Sequence, residues 1–289
     1  MSQTLSRTTI HLAHSPDSDD AFMFYALASG KIDTQGIDYV HELQDIETLN
    51  QRALRGELEV TAVSIHAYAY ISDTYALLSH GASMGDRYGP SLVARSPMTR
   101  AEVRGRSIAV PGPLTSAYLA LRLYEPEFEA VFMPFDEIDR AVLRGDVAAG
   151  LLIHEGQLTY ASQGLHLVAD MGEWWYEETG LPLPLGGNVI RKDLSEGLKQ
   201  IVSRHIRSSI AYGLENRAGA LDHAMQYARG LQRSDADTFV GMYVNDWTLD
   251  YGDRGRKAIR LFLDRGVASG VITRSVDVEF VDDALSDLT

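Results

Sequence analysis

Three short stretches of this chain put chemically useful side chains where a strand gives way to a helix. In "HLAHSPDSDDAFMFYALASGK" (residues 11–31) an apolar run breaks at Ser15-Pro16, and Asp17, Asp19 and Asp20 follow within four residues. Carboxylates at that junction can cap the next helix, whose N-terminal end favours negative charge, or they can line a binding site. They repel an anionic ligand, so contacts to ligand hydroxyls suit them better than contacts to an acid group. In "SIAVPGPLTSAYLALRLY" the turn Pro111-Gly112-Pro113 leads to Thr115 and Ser116. Two hydroxyls beside the free N–H groups of a helix start make a small anion site that needs no lysine, and they equally make an ordinary N-cap. In "AGLLIHEGQLTY" His154 leaves an apolar strand. A partly desolvated imidazole there is a reasonable general base titrating near neutrality, or a structural histidine. The other eight histidines are scattered, without the HExxH or paired spacing of a metal site.

Composition narrows the classes. The chain has 289 residues, 45% hydrophobic and 23% charged, the balance of a soluble protein with a sizeable core. A formal net charge of -14 argues against a nucleic-acid or anionic-membrane surface. With no cysteine, disulfides, thiolate metal sites and cysteine nucleophiles are excluded. The opening "MSQTLSRTTIHLAHS" carries no apolar signal-peptide core, and no apolar run approaches the roughly 18 residues of a membrane span. We expect a cytoplasmic protein. Neither a GxxxxGK[ST] loop nor a GxGxxG fingerprint supports nucleotide binding, and no GxSxG elbow is present.

The elements that must position these residues alternate between short apolar runs and helical patterns, which predicts an α/β fold. Strands are expected at 9–13, 37–42, 60–63, 75–79, 107–110, 130–133, 149–153 and 165–169. Helices are expected at 20–29, 46–54 with Asp45 as N-cap, 115–124 and 135–143, and the chain is mostly helical from 192 to about 265. Two segments read as crossings between lobes: 91–106, with a proline and many charges, and 181–194, with two prolines and a Gly-Gly pair. Two crossings predict a larger discontinuous lobe (1–96 and 186–289) and a smaller inserted lobe (97–185). A ligand would sit between them, where the strands end. Trp174, Trp175 and Tyr176, near the second crossing, could cover an aromatic ligand or pack the lobes.

The segments "SPDSDDAFMFYAL", "DIETLNQRAL", "VPGPLTSAYLAL", "GLLIHEGQLTY" and "WWYEETGLPLPLGGNVIRKDL", in that order, resemble the 1,4-dihydroxy-6-naphthoate synthases of the futalosine route to menaquinone. The resemblance is strong over residues 11–194 and looser beyond. It implies a two-lobed fold like type II periplasmic binding proteins, with the active site in the inter-lobe cleft. It implies a lyase that splits cyclic dehypoxanthinyl futalosine into 1,4-dihydroxy-6-naphthoate and dihydroxyacetone. The partner expected is a small-molecule carboxylate substrate, with no metal or organic cofactor. Residue by residue, it makes His154 the proton acceptor and gives Thr115 and Ser116 paired hydroxyl contacts to substrate. Ala62, Val63 and Ser64 fall in a further binding segment, and Ser15 and Asp19 line the first junction. Two positions depart: Ala62 stands where many relatives carry lysine, and Asp19-Asp20 where many carry Asn-Asp. Two alternatives stay open, chorismate dehydratase of the same pathway and a non-catalytic small-molecule binding protein.

Overall fold

The computed structural model describes residues 8–228 and 232–281. Among the described residues there are twelve strands: β1 (Thr8–His14), β2 (Ile37–Leu43), β3 (Val60–Ser64), β4 (Tyr75–Leu78), β5 (Ser83–Gly85), β6 (Ser91–Ala94), β7 (Ser107–Val110), β8 (Glu129–Phe132), β9 (Ala149–Leu152), β10 (His166–Asp170), β11 (Leu183–Arg191) and β12 (Phe280–Val281). They form two sheets. The larger runs β12-β4-β11-β3-β1-β2, with β5 also paired to β11; the smaller runs β10-β6-β9-β7-β8.

The strands that lead to the candidate residues are central in their sheets. Every residue of β3 ("VTAVS") and β9 ("AGLL") is buried, as the near-continuous apolar runs of covered parallel strands require. β1 is parallel to both β2 and β3, and β7 is parallel to both β8 and β9. β1 stops at His14 because Pro16 has no N–H to continue a ladder.

The sheets redraw the expected lobes. β6, expected in the larger lobe, is hydrogen-bonded between β10 and β9 in the smaller sheet. The first crossing therefore precedes Ser91, and the expected 96/97 boundary falls too late. The second expected crossing, 181–194, is largely β11, which pairs antiparallel with β3, β4 and β5 inside the larger sheet. Its prolines misled because Pro184 sits at a register irregularity against β5, where a missing N–H is tolerated. Helix 20–29 is two short helices, Ser18–Met23 and Tyr25–Ala28.

One buried apolar cluster joins the lobes, reaching from Leu77 and Val189 of the larger sheet to Leu92, Ile108 and Leu151 of the smaller. At its centre the helices Ile65–Ile71 and Ser116–Tyr124 pack on one another. The crossings also touch backbone to backbone. A Cβ on Gly172 would lie 1.9 Å from the Tyr88 carbonyl oxygen, and one on Gly89 would lie 2.9 Å from the Gly172 nitrogen. Met171 N–H donates to the Pro90 carbonyl across the same contact, at 3.0 Å. Neither partner is a flexible side chain, so Gly172→Ala must push the crossings apart. We expect it to lose about 1–3 kcal/mol of stability, the usual scale of overpacking, measured by urea unfolding. Gly197→Ala, where an added Cβ meets nothing within 4 Å, serves as the control and should lose none.

Candidate active site

Two pairs of parallel strands, one pair from each sheet, end at one cleft. β1 delivers Ser15, Asp17, Asp19 and Asp20, and β3 delivers Ala62, Val63 and Ser64. From the smaller sheet, the turn after β7 delivers Thr115 and Ser116, and β9 delivers His154. All eight residues singled out from sequence (Ser15, Asp19, Ala62, Val63, Ser64, Thr115, Ser116 and His154) thus line one cleft. Leu185, Gly186 and Gly187 of β11 form part of its wall.

The pairing that organises the cleft joins opposite walls. His154 Nδ1, from the smaller lobe, stands 3.0 Å from the Asp17 carboxylate of the larger lobe. The Ser15 hydroxyl donates to the same carboxylate oxygen. Asp17 occupies the N-cap of the helix Ser18–Met23, yet its side chain makes no capping bond; it is turned to His154 instead. Asp19 and Asp20 lie in the first turn, so the capping position read from sequence moves from Asp19 or Asp20 to Asp17. His154 holds φ of 55°, the left-handed region that a non-glycine residue seldom occupies. Gly156 and Gln157 then begin a short helix, and the Phe135 ring stands edge-on to the imidazole at 4.6 Å.

Electrostatics follow from this geometry. Burial pushes the His154 imidazole down, but the carboxylates of Asp17, Glu155 and Asp19 more than reverse that and hold it at about 9. The near-neutral titration expected from sequence is corrected accordingly, and the cause is Asp17. Burial, with Asp17 nearby, raises Asp19 to about 7. Burial and the charges of Asp19 and Asp17 raise Asp20 well above the ordinary carboxylate range, against the Ser15 N–H that donates to it at 2.7 Å. Among the described residues lining the cleft none is lysine or arginine. The imidazolium of His154 is therefore the cationic side chain of this wall.

The hydroxyls of Thr115 and Ser116 are engaged inside the protein. Thr115 is the N-cap of the helix Ser116–Tyr124, accepting from Tyr118 N–H at 3.2 Å and donating to the Gly112 carbonyl at 2.9 Å. Ser116 donates to the Leu185 carbonyl at 2.5 Å and accepts from His66 N–H at 3.1 Å, tying the smaller lobe to the larger. What this turn leaves for a ligand is the pair of backbone N–H groups of Ser116 and Ala117, which have no acceptor within the helix. Ser64 is fixed in turn by Asn50, whose amide oxygen accepts from Ser64 N–H at 2.9 Å and whose NH2 donates to the Ser64 hydroxyl at 3.2 Å.

Several cleft residues were not found from sequence. Gln157 lies in the stretch quoted for His154 without itself having been singled out, and Phe239 and Tyr243 come from the C-terminal helical part, which carried no chemical signature. Asn50, in the expected helix 46–54, acts behind the cleft through Ser64. The cleft aromatics are Phe239 and Tyr243, not the Trp-Trp-Tyr run. Trp175 is buried against Phe262 and donates to the Pro182 carbonyl, Trp174 packs on Tyr124, and Tyr176 meets Arg87. Among the described residues, no group of three or more histidines, aspartates or glutamates is arranged to hold a metal ion, and no helix is long and apolar enough to cross a membrane.

The bonding of Ser116 generates a test. Ser116→Ala strips the Leu185 carbonyl and the His66 N–H of a partner at a buried joint. It should cost about 1–3 kcal/mol in urea unfolding, whereas a hydroxyl serving only a ligand would leave the stability of the free protein unchanged.

A family model described as "Menaquinone biosynthesis" matches residues 10–268. A Thermus thermophilus protein named 1,4-dihydroxy-6-naphthoate synthase is 42% identical over 264 residues, covering 90% of this chain and 96% of its own length. A Streptomyces coelicolor protein of the same name is 38% identical over 275 residues, covering 93% and 96%. A crystal structure of an Archaeoglobus fulgidus protein superposes with a TM-score of 0.88 at 49% identity, covering 91% of this chain and 98% of that one. The alkanesulfonate-binding protein of Xanthomonas axonopodis pv. citri superposes with a TM-score of 0.71 at 11% identity, covering 94% and 97%. That likeness is of fold alone, and it makes the architecture periplasmic-binding-protein-like, as the sequence implied. With the family model spanning most of the chain and two curated relatives aligned nearly end to end, the chain belongs to the menaquinone biosynthesis family.

Proposed function

We propose that this protein is a 1,4-dihydroxy-6-naphthoate synthase, a carbon–carbon lyase converting cyclic dehypoxanthinyl futalosine to 1,4-dihydroxy-6-naphthoate and dihydroxyacetone. The observation that carries the reading is the imidazole of His154 on the cleft wall, with Nδ1 engaged by Asp17 and Nε2 left for substrate. An imidazole oriented this way by a carboxylate is suited to take a proton from a bound carbon acid or hydroxyl. Asp17 raises its basicity and fixes which nitrogen reacts. Loss of that proton starts cleavage of the ring carbon–carbon bond, and aromatisation of the bicycle drives it.

Recognition follows the same wall by wall logic. The substrate carboxylate is assigned to the N–H groups of Ser116 and Ala117 and to the Ser64 hydroxyl, since the cleft offers backbone dipoles rather than lysine or arginine. Asp19, raised to about 7, is about half protonated at neutral pH, and in either form it can hydrogen-bond a substrate hydroxyl, accepting when ionised and donating when protonated. Phe239 and Tyr243 offer apolar faces to the bicycle.

Incubation of the pure protein with cyclic dehypoxanthinyl futalosine should yield 1,4-dihydroxy-6-naphthoate by chromatography, and incubation with chorismate should yield nothing. Dehydration of chorismate, or binding of either compound without turnover, would refute the assignment. His154→Asn should lower kcat about 100-fold or more, the scale of a positioned general base, while circular dichroism and substrate binding stay near normal. Turnover close to wild type in that variant would return His154 to a structural role.

The pH dependence has a definite sign. A base must be unprotonated, and His154 sits at about 9 in the free protein. The ratio kcat/KM should therefore rise about tenfold per pH unit below that value and level above it. A profile that is flat between pH 6 and 9 would remove His154 as the base.

A further inference from the structure

A second contact crosses the cleft one turn beyond His154. The Tyr243 hydroxyl, on the helix Arg233–Tyr243, lies 2.6 Å from the Gln157 side-chain amide. That helix packs on Ser18–Met23 and β5 of the larger lobe, whereas Gln157 follows β9 of the smaller lobe. The Gln157 amide orientation that satisfies all its neighbours turns its NH2 to the Gly89 carbonyl at 2.8 Å and to Tyr243, and its oxygen to the His154 backbone N–H at 3.3 Å. One amide thus touches the first crossing, the larger lobe and the backbone of the residue held at positive φ. The Tyr243 ring cannot drift. It is buried, packed edge-on against Phe239 at 5.2 Å and Tyr88 at 5.7 Å, and the Tyr88 hydroxyl donates to the adjoining Met242 carbonyl.

We propose that Gln157 and Tyr243 are positioning residues, whose hydrogen bond across the cleft fixes the closed arrangement in which His154 meets Asp17. The partners of the His154–Asp17 pair belong to different lobes, so the pair exists only while the walls stay together. The Tyr243–Gln157 bond spans the same gap and also holds the His154 backbone, so its loss should loosen the imidazole from Asp17. The charged and titratable groups facing that imidazole are Asp17, Asp19 and Asp20 from the larger lobe and Glu155 from its own turn. Loosening the walls removes the first three together. The catalytic consequence rests on His154 being the base; the positioning itself does not.

The experiment is an NMR titration of the His154 imidazole in the full-length free protein, its resonance assigned by comparison with His154→Asn. In the wild type it should titrate at about 9. In Tyr243→Phe, which removes only the hydroxyl, it should move towards the ordinary histidine value of about 6.5, in the same direction as in Asp17→Asn. Gln157→Leu, which also removes the bonds to the Gly89 carbonyl and the His154 N–H, should move it at least as far. The double variant Tyr243→Phe/Gln157→Leu should move it no further than Gln157→Leu alone, because the Tyr243 hydroxyl acts through that amide. An unshifted imidazole in folded Tyr243→Phe and Gln157→Leu would overturn the proposal, as would a wild-type imidazole already near 6.5. A raised KM with unshifted titration would also overturn it, by making the Tyr243 hydroxyl, and not only its ring, a substrate contact. If the shifts occur but His154→Asn keeps its turnover, the positioning stands and the role of His154 as base falls.

Discussion

The carboxylate of Asp17 and the imidazole of His154 approach from opposite walls of the cleft, and most of the site's properties follow from that meeting. An imidazole buried at the end of β9 would by itself be driven to the neutral form. An aspartate at a helix N-cap would by itself satisfy the helix. Brought to 3.0 Å, each abandons that default: the aspartate gives up its cap and the histidine holds its proton to about 9. Burying charged groups costs so much that such a pair persists only with further hydrogen bonds around it, and the Ser15 hydroxyl on the Asp17 carboxylate supplies one.

The same meeting governs the neighbouring acids. Asp19 and Asp20 are buried two and three residues after Asp17, and their pKa values are raised. A wall that looks strongly anionic in the sequence is therefore partly protonated in the fold, and one imidazolium offsets much of what remains. This is how an acidic junction can coexist with recognition of an acid. In the function we propose, the anion is received on the other side of the cleft, at the N-terminus of the helix Ser116–Tyr124, by N–H groups whose partial charge needs no counter-ion.

The two lobes are not independent bodies loosely joined. A common apolar cluster, the close contact of Gly89 with Gly172 and the hydroxyl of Ser116 bind them at the base of the cleft. The Asp17–His154 and Tyr243–Gln157 contacts join them from wall to wall of the cleft. In this arrangement the side chains of Thr115 and Ser116 do architectural work, the reverse of the ligand role their residue types suggest.

Much of this was legible in the sequence because it is local. Alternating apolar runs and helical periodicity follow from the chain's own pattern, and a strand that ends in Ser-Pro, Pro-Gly-Pro or His-Glu must release its next residues near the strand's C-terminal end. All eight candidate residues consequently line one cleft. Where the sequence misled, the deciding contacts were distant along the chain. β11 is a strand despite its prolines because β3, β4 and β5 flank it. β6 belongs to the smaller sheet because β9 and β10 offer it partners. The partner of His154 lies 137 residues upstream, and Tyr243 lies 86 residues beyond Gln157. Residue type and spacing determined which groups could act, since strand ends and helix caps are set by nearest neighbours. Which groups face each other, and therefore which hold a proton, was decided only when folding brought remote side chains within hydrogen-bond range, because Coulomb and desolvation energies depend on distance in space and not along the chain.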